Sequence, residues 1–190
     1  MSIFGSNKTN FKMKNFKLLS IIFIAVLGTI TISCDKDDDE GGTPAVANEV
    51  TYDGSTYTLS KGFLEDYGDN GNGSYDFDVT LTSSGINYDS TNAEFTGSGQ
   101  VLYLDLNSDV MTGLSNGTYN FSAARTAFSL VNAIIVVDFD ATAQTGTGVQ
   151  ATGGNVVLTK DGTQYTILVE CTIASGETIS SSYQGTLTTI

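Results

Sequence analysis

The 190-residue chain has no histidine, no tryptophan, a single proline and only two cysteines. Each scarcity excludes something. Without histidine there is no imidazole to serve as a general base near neutral pH, and the commonest zinc ligand is missing. Without tryptophan the strongest aromatic platform for a sugar or a cation is gone. The two cysteines, Cys34 and Cys171, lie in unlike surroundings, so no disulfide between them is expected. Cations are scarce as well: eight Lys and Arg stand against 21 Asp and Glu, a formal charge of −13. Lys8, Lys12, Lys14 and Lys17 all precede Cys34 and no acid does. From Cys34 onward, four cations (Lys36, Lys61, Arg125, Lys160) therefore face all 21 acids, a net −17. Such a surface repels phosphate backbones, which argues against nucleic acid as a partner, and it favours solubility.

What is present begins with a basic N-terminus. Residues 1–17 are polar, and Met13-Lys14-Asn15-Phe16-Lys17 would by itself make an adequate start, so Met13 is a candidate initiator beside Met1. Residues 18–33 are apolar but interrupted by Ser20, Gly28, Thr29 and Thr31. A spanning helix wants about 20 apolar residues. A shorter, broken run fits the apolar core of an export signal. Ser33-Cys34 follows, and then Asp35-Lys36-Asp37-Asp38-Asp39-Glu40.

This layout resembles the signal of bacterial lipoproteins, in which a small residue precedes the cysteine that is lipidated and becomes the mature N-terminus. Thr31 stands where leucine is frequent in that signal, and the chain looks like the looser Bacteroidetes form. The acidic run after the cysteine is similar to the export signal of Bacteroidetes surface lipoproteins. The resemblance implies lipid on Cys34 and an export signal made by Asp35, Lys36, Asp37, Asp38, Asp39 and Glu40. It implies contact with the lipoprotein processing and export machinery. The place it implies is the outer membrane facing the cell exterior, with the periplasm-facing leaflet as the alternative. Asp89-Ser90-Thr91 resembles the O-glycosylation sequon of the same group, which would put a glycan on Ser90. More than one acyl chain, at about 0.8 kcal/mol per buried CH₂, would make such an anchor stable.

The expected organisation is a signal peptide over residues 1–33, a lipidated acidic and disordered tether over 34–48, and an all-β domain over 49–190. A flexible tether of this length spans roughly 20 Å root-mean-square. From Glu49 the pattern has period two. Tyr52-Asp53-Gly54-Ser55 predicts a hairpin, since Asp-Gly is a preferred two-residue turn. Residues 63–74 read as a long polar loop. Residues 75–82 alternate strictly, residues 100–107 and 118–121 give further strands, and residues 128–139 predict a central strand with a bulge near Asn132. Residues 155–190 predict a three-stranded meander with turns at Asp161-Gly162 and Ser175-Gly176. Ser182-Tyr183-Gln184-Gly185-Thr186-Leu187 resembles the ending of many small Bacteroidetes lipoproteins, a resemblance that implies no activity. No sustained helical period is present. The fold expected is a single antiparallel β-sandwich or flattened β-barrel of about 8–10 strands.

Candidate chemistry is sparse. Asp76 with Asp78, and Asp138 with Asp140, would each share one strand face, the arrangement a paired-acid glycosidase needs. Alternation places both pairs toward solvent, so catalysis is not expected. Asp66, Asp69, Asn70 and Asn72 offer hard oxygen ligands for Ca²⁺ in one loop, although their spacing departs from an EF-hand and turn formation is their commoner use. No cofactor is therefore expected. Tyr67, Tyr75 and Tyr88 are candidates for stacking on sugars, with core packing as the alternative. Cys171 alternates with Tyr165, Ile167, Val169 and Ile173 and reads as a small buried hydrophobe. The function expected is non-catalytic: a lipid-anchored β-domain that binds or adheres at the cell surface, its extracellular ligand unknown. The alternatives are a barrel-type carrier of a small apolar ligand and an accessory carbohydrate-binding protein.

Overall fold

The structure is a computed structural model that describes residues 46–190. Cys34 and the run from Asp35 to Glu40 lie outside the described residues. Twelve strands and no helix occur among those that are described: β1 (Glu49–Tyr52), β2 (Ser55–Thr58), β3 (Lys61–Asp69), β4 (Tyr75–Thr82), β5 (Ile86–Asp89), β6 (Glu94–Ser108), β7 (Gly117–Phe121), β8 (Ser129–Asp140), β9 (Thr145–Asp161), β10 (Gln164–Ile173), β11 (Thr178–Gly185) and β12 (Leu187–Thr189). The sequence-based expectation of about 8–10 strands falls short because β3, β5 and β12 carry weak alternation.

One curled, open sheet runs in the order β12-β3-β4-β6-β8-β7-β9-β10-β11-β1-β2, with β5 paired to β6 off this path. Two very short connections bring its ends together. Gly185 pairs with Tyr165 in β10, while Leu187, two residues on, pairs with Gly62 in β3. Two trans peptide steps cover at most about 7 Å, so the β11 end of the sheet must lie beside β3. Leu59 and Ser60 make the second link, from β2 to β3. At this seam a Cβ on Gly62 would lie 2.4 Å from Leu187 Cδ2, so a larger residue there would require the Leu187 side chain to move.

The curl encloses one continuous apolar cluster. Phe77, Val79 and Leu81 of β4 join Leu102, Leu104 and Leu106 of β6 and Leu130, Ala133 and Ile135 of β8. Val156, Leu158, Ile167, Val169, Cys171 and Ile179 are among its members from the other half of the sheet. Each fully buried aliphatic side chain contributes roughly 1.5–3 kcal/mol relative to exposure. Tyr119 is also fully buried, and its hydroxyl donates to the Ser115 carbonyl at 2.8 Å. Cys171 is buried and unpaired, as its place in the alternation predicts, and burial pushes its thiol up to about 11.

Several local expectations change. Asp53 and Gly54 both take positive φ (49° and 69°), the conformation of a type I′ turn. In the β9–β10 hairpin, however, Asp161 pairs with Gln164, so the loop is Gly162-Thr163 with only Gly162 at positive φ (59°). The expected polar loop over 63–74 is wrong for its first half. Phe63 to Asp69 belong to β3, which ladders against β4 with a bulge between Asp66 and Gly68. That bulge breaks the period of two and hides the strand from pattern reading. The expected last strand is also two strands, because β12 leaves β11 to pair in parallel with β3. The central strand β8 does bulge next to Asn132, where its register to β6 shifts between Asp105 and Leu106.

Candidate functional site

The chemistry-bearing residues gather on the outer face of β4 and β6, opposite the core. Asp78 stands across from Asp105, Asp76 from Asn107 and Thr80 from Tyr103, while Asp105 in turn faces Asn132 of β8. Alternation predicts solvent on this face, and that expectation fails. Asp78 and Asp105 are only 7% and 5% exposed. Asp138 and Asp140 do stay exposed, as alternation predicts.

The connection between β7 and β8 adds a cation to these acids. Arg125 places its guanidinium on Asp105 through two parallel bonds of 3.0 and 2.7 Å, and reaches Asp76 Oδ2 at 2.5 Å. Its carbonyl accepts from Asn72 Nδ2 at 2.7 Å and from Ser74 Oγ at 2.9 Å. The β3–β4 turn, the β7–β8 connection and the two central strands are thus tied at one point.

Oxygens of Asp76, Asp78 and Asp105 lie within 4.8 Å of one another. One guanidinium cannot neutralise three carboxylates so close together, which favours proton uptake in the cluster. Burial, with added repulsion from Asp105, Asp76 and Glu65, pushes Asp78 up to about 7, against the pull of a hydrogen bond from Tyr103. Burial and the Asp78 charge raise the Tyr103 hydroxyl as well. Asp105 is raised by burial and by Asp76, with Arg125 opposing. Burial lowers Arg125, but the charges of Asp105 and Asp76 outweigh it and leave the guanidinium more firmly protonated. Arg125 offsets part of this charge, and its contacts tie Asp76 and Asp105 into an ion-pair network that leaves Asp78 outside its reach. Asp76 Oδ1, Asn107 Nδ2 and Asn132 Oδ1 are buried here without a hydrogen-bond partner. Each such group costs about 1–3 kcal/mol, so the outer face is tightly covered but imperfectly satisfied.

The loop residues considered for Ca²⁺ act in turns. Asp66 Oδ1 accepts from Gly68 N at 2.8 Å and Asp69 Oδ1 from Gly71 N at 2.7 Å. Asn72 Oδ1 accepts from Ser74 N and Oγ, and Asn70 Nδ2 donates to Ser74 Oγ and Asn107 Oδ1. Sequence reasoning missed Asp105 and Arg125. A lone acid within the apolar run 101–106, together with the only arginine of the chain, was the available signal.

A second feature lies beside β12. An open groove of about 420 Å³ is lined by Phe63, Tyr88, Ser90, Thr188, Thr189 and Ile190. Phe63, Tyr88 and Phe95 pack edge-on or tilted at centroid distances of 5.1–6.1 Å. Lys61 Nζ fixes the nearby β4–β5 connection by donating to Ser84 O, Ile86 O and Asn87 Oδ1 at 2.7–2.9 Å. Ser90 is exposed at the β5–β6 turn. Asp89 closes that turn by accepting from Thr91 N and Asn92 Nδ2, bonds that lower its carboxyl below the usual range. Tyr67 is 44% exposed, whereas Tyr75 packs against the core. The three candidate tyrosines therefore do not form one strip.

Comparison with protein-family models, with curated proteins and with solved structures finds no match to this chain.

Proposed function

We propose that the chain is a non-catalytic lipoprotein, anchored in the outer membrane by lipid on Cys34, that presents its β-domain for binding or adhesion at the cell surface. The observation that carries this reading is the order of residues 18–40: an apolar run, Ser33-Cys34, and a block of five acids and one lysine. The net −17 from Cys34 onward suits a body held in water beside an anionic surface. Two features of the β-domain support a role without catalysis. Side chains such as Phe77 and Tyr119 fill the interior, which also disfavours a carrier of an apolar ligand. Asp105 and Asp76 are engaged by Arg125, and Asp78 accepts a hydrogen bond from Tyr103.

Accessory carbohydrate binding is the second reading, and the groove beside Tyr88 and Phe63 is what favours it. Glycan-array binding of the protein and of Tyr88→Ala separates the two. Loss of a signal with the variant supports the second reading, and silence of both removes it. The address is tested by Cys34→Ser, which should abolish palmitate labelling and release the protein from membranes. Unchanged membrane retention would mean that the apolar run stays as an anchor. Replacing Asp37, Asp38 and Asp39 by Ala should reduce accessibility to protease in whole cells, and an unchanged accessibility would defeat the export reading.

A further inference from the structure

The connection of residues 122–128 carries the single arginine of the chain. Its far end is fixed by backbone bonds: Phe128 N–H donates to Asn107 O at 2.7 Å, and Asn120 N–H to Phe128 O at 3.0 Å. Phe128 also packs on Tyr119, with ring centroids 5.4 Å apart. The crown, residues 123–127, is exposed. The Arg125–Thr126 peptide bond thus joins two exposed residues, its carbonyl accepting from Asn72 Nδ2 and Ser74 Oγ and its N–H donating to Ala124 O and Ser129 Oγ, while the arginine head is held against the sheet by Asp105 and Asp76. A hydrolase that cuts after arginine must take that side chain into its own pocket, so the ion pairs have to break first.

We propose that Arg125 is a charge-dependent clasp: its ion pairs with Asp76 and Asp105 close the 122–128 strap over the sheet and shield the Arg125–Thr126 bond, and acid opens it.

The groups facing the guanidinium set the sign. The guanidinium itself meets Asp76 of β4 and Asp105 of β6; Asp78 of β4 acts on Asp105's neighbour Tyr103 and is in turn acted on by Asp105, Asp76 and Glu65 of β3, Tyr67 of β3 acts on Tyr103, and β8 offers the uncharged Asn132 opposite Asp105. Docking the guanidinium stabilises the ionised acids, so it lowers their affinity for protons relative to the undocked strap. Docking is therefore favoured above the undocked titration range and weakens as pH falls through it. Asp78 and Asp105, raised even with the cation docked, would be raised further without it. Release is therefore favoured as pH falls into weak acid.

The test uses the full-length protein and an arginine-specific protease, for which the chain has one site. The cleavage rate is divided by that of a synthetic peptide of residues 120–130 at the same pH, which removes the enzyme's own pH dependence. A lysine-specific protease, with cleavage read only after Lys61 and Lys160 among the seven lysines of the chain, reports general unfolding of the domain. The normalised rate should rise about tenfold or more between about pH 8 and about pH 5.5, because charge-assisted bonds are the ones lost. Asp105→Asn should give a similar rise at pH 8, with cleavage after lysine unchanged. Should Asp105→Asn fail to show a cooperative melt, Asp76→Asn carries the same test. A normalised rate that is the same at both pH values and in the folded variant would overturn the clasp. So would arginine and lysine cleavage rising together, since general unfolding would then explain both.

Discussion

Asp78→Asn should stabilise the domain at neutral and alkaline pH but not in acid. Asp78 is 7% exposed, and its carboxyl is raised from 3.8 to about 7, burial being the largest cause. Between those values the folded chain binds a proton that the unfolded chain has released. Stability then falls as pH rises, by up to about 1.36 kcal/mol per pH unit. About three such units amount to an order of magnitude of 4 kcal/mol, fully present as stability below about pH 4 and lost once pH has passed about 7. Asparagine matches the shape of aspartate, cannot ionise, and keeps an oxygen to accept from Tyr103. The raised Asp105 contributes a slope of the same sign in both proteins, so it largely cancels in the difference. Urea unfolding followed by far-ultraviolet circular dichroism, at steps from pH 4 to pH 8, gives the two profiles. They should agree to within about 1 kcal/mol near pH 4 and separate by roughly 2–4 kcal/mol above pH 7 in favour of the variant. Parallel profiles, or a gap that widens toward acid, would refute the reasoning that burial keeps this carboxyl protonated.

Two further outcomes follow from the packing. Gly154 has φ of 118°, and a Cβ there would lie 2.2 Å from Glu170 O and 2.5 Å from Cys171 Cα. Gly154→Ala should cost about 3 kcal/mol or more, or prevent folding, and a melting temperature within a few degrees of the parent would contradict the contact. Cys171 should resist thiol reagents in native buffer and react fully in denaturant, because it is buried with its thiol raised to about 11. Rapid labelling of the folded protein would place that residue elsewhere.

The all-β class was legible because burial and alternation coincide in most strands. In β10, for example, Tyr165, Ile167, Val169, Cys171 and Ile173 all point inward. β4 shows where such reading stops. Its alternation correctly assigned Phe77, Val79 and Leu81 to the core, yet it placed Asp76 and Asp78 in water. Period two reports which face a side chain takes, and says nothing of what will cover that face. The cover includes Arg125, which is 49 residues away from Asp76 in sequence and has no periodic signal. β3 was hidden for a different reason: its bulge and acid-rich second half imitate a loop, while the backbone ladder to β4 still forms. The β11–β12 break was invisible because Thr186 is an ordinary strand former, and only the pairing of Leu187 with Gly62 shows that the chain changes neighbours there.

The most direct test of the central claim is the mass of the N-terminal peptide from protein extracted from native membranes. That peptide should begin at Cys34 and carry diacylglycerol on its sulfur. A peptide retaining any residue upstream of Cys34, or a Cys34 whose thiol is free, would contradict it.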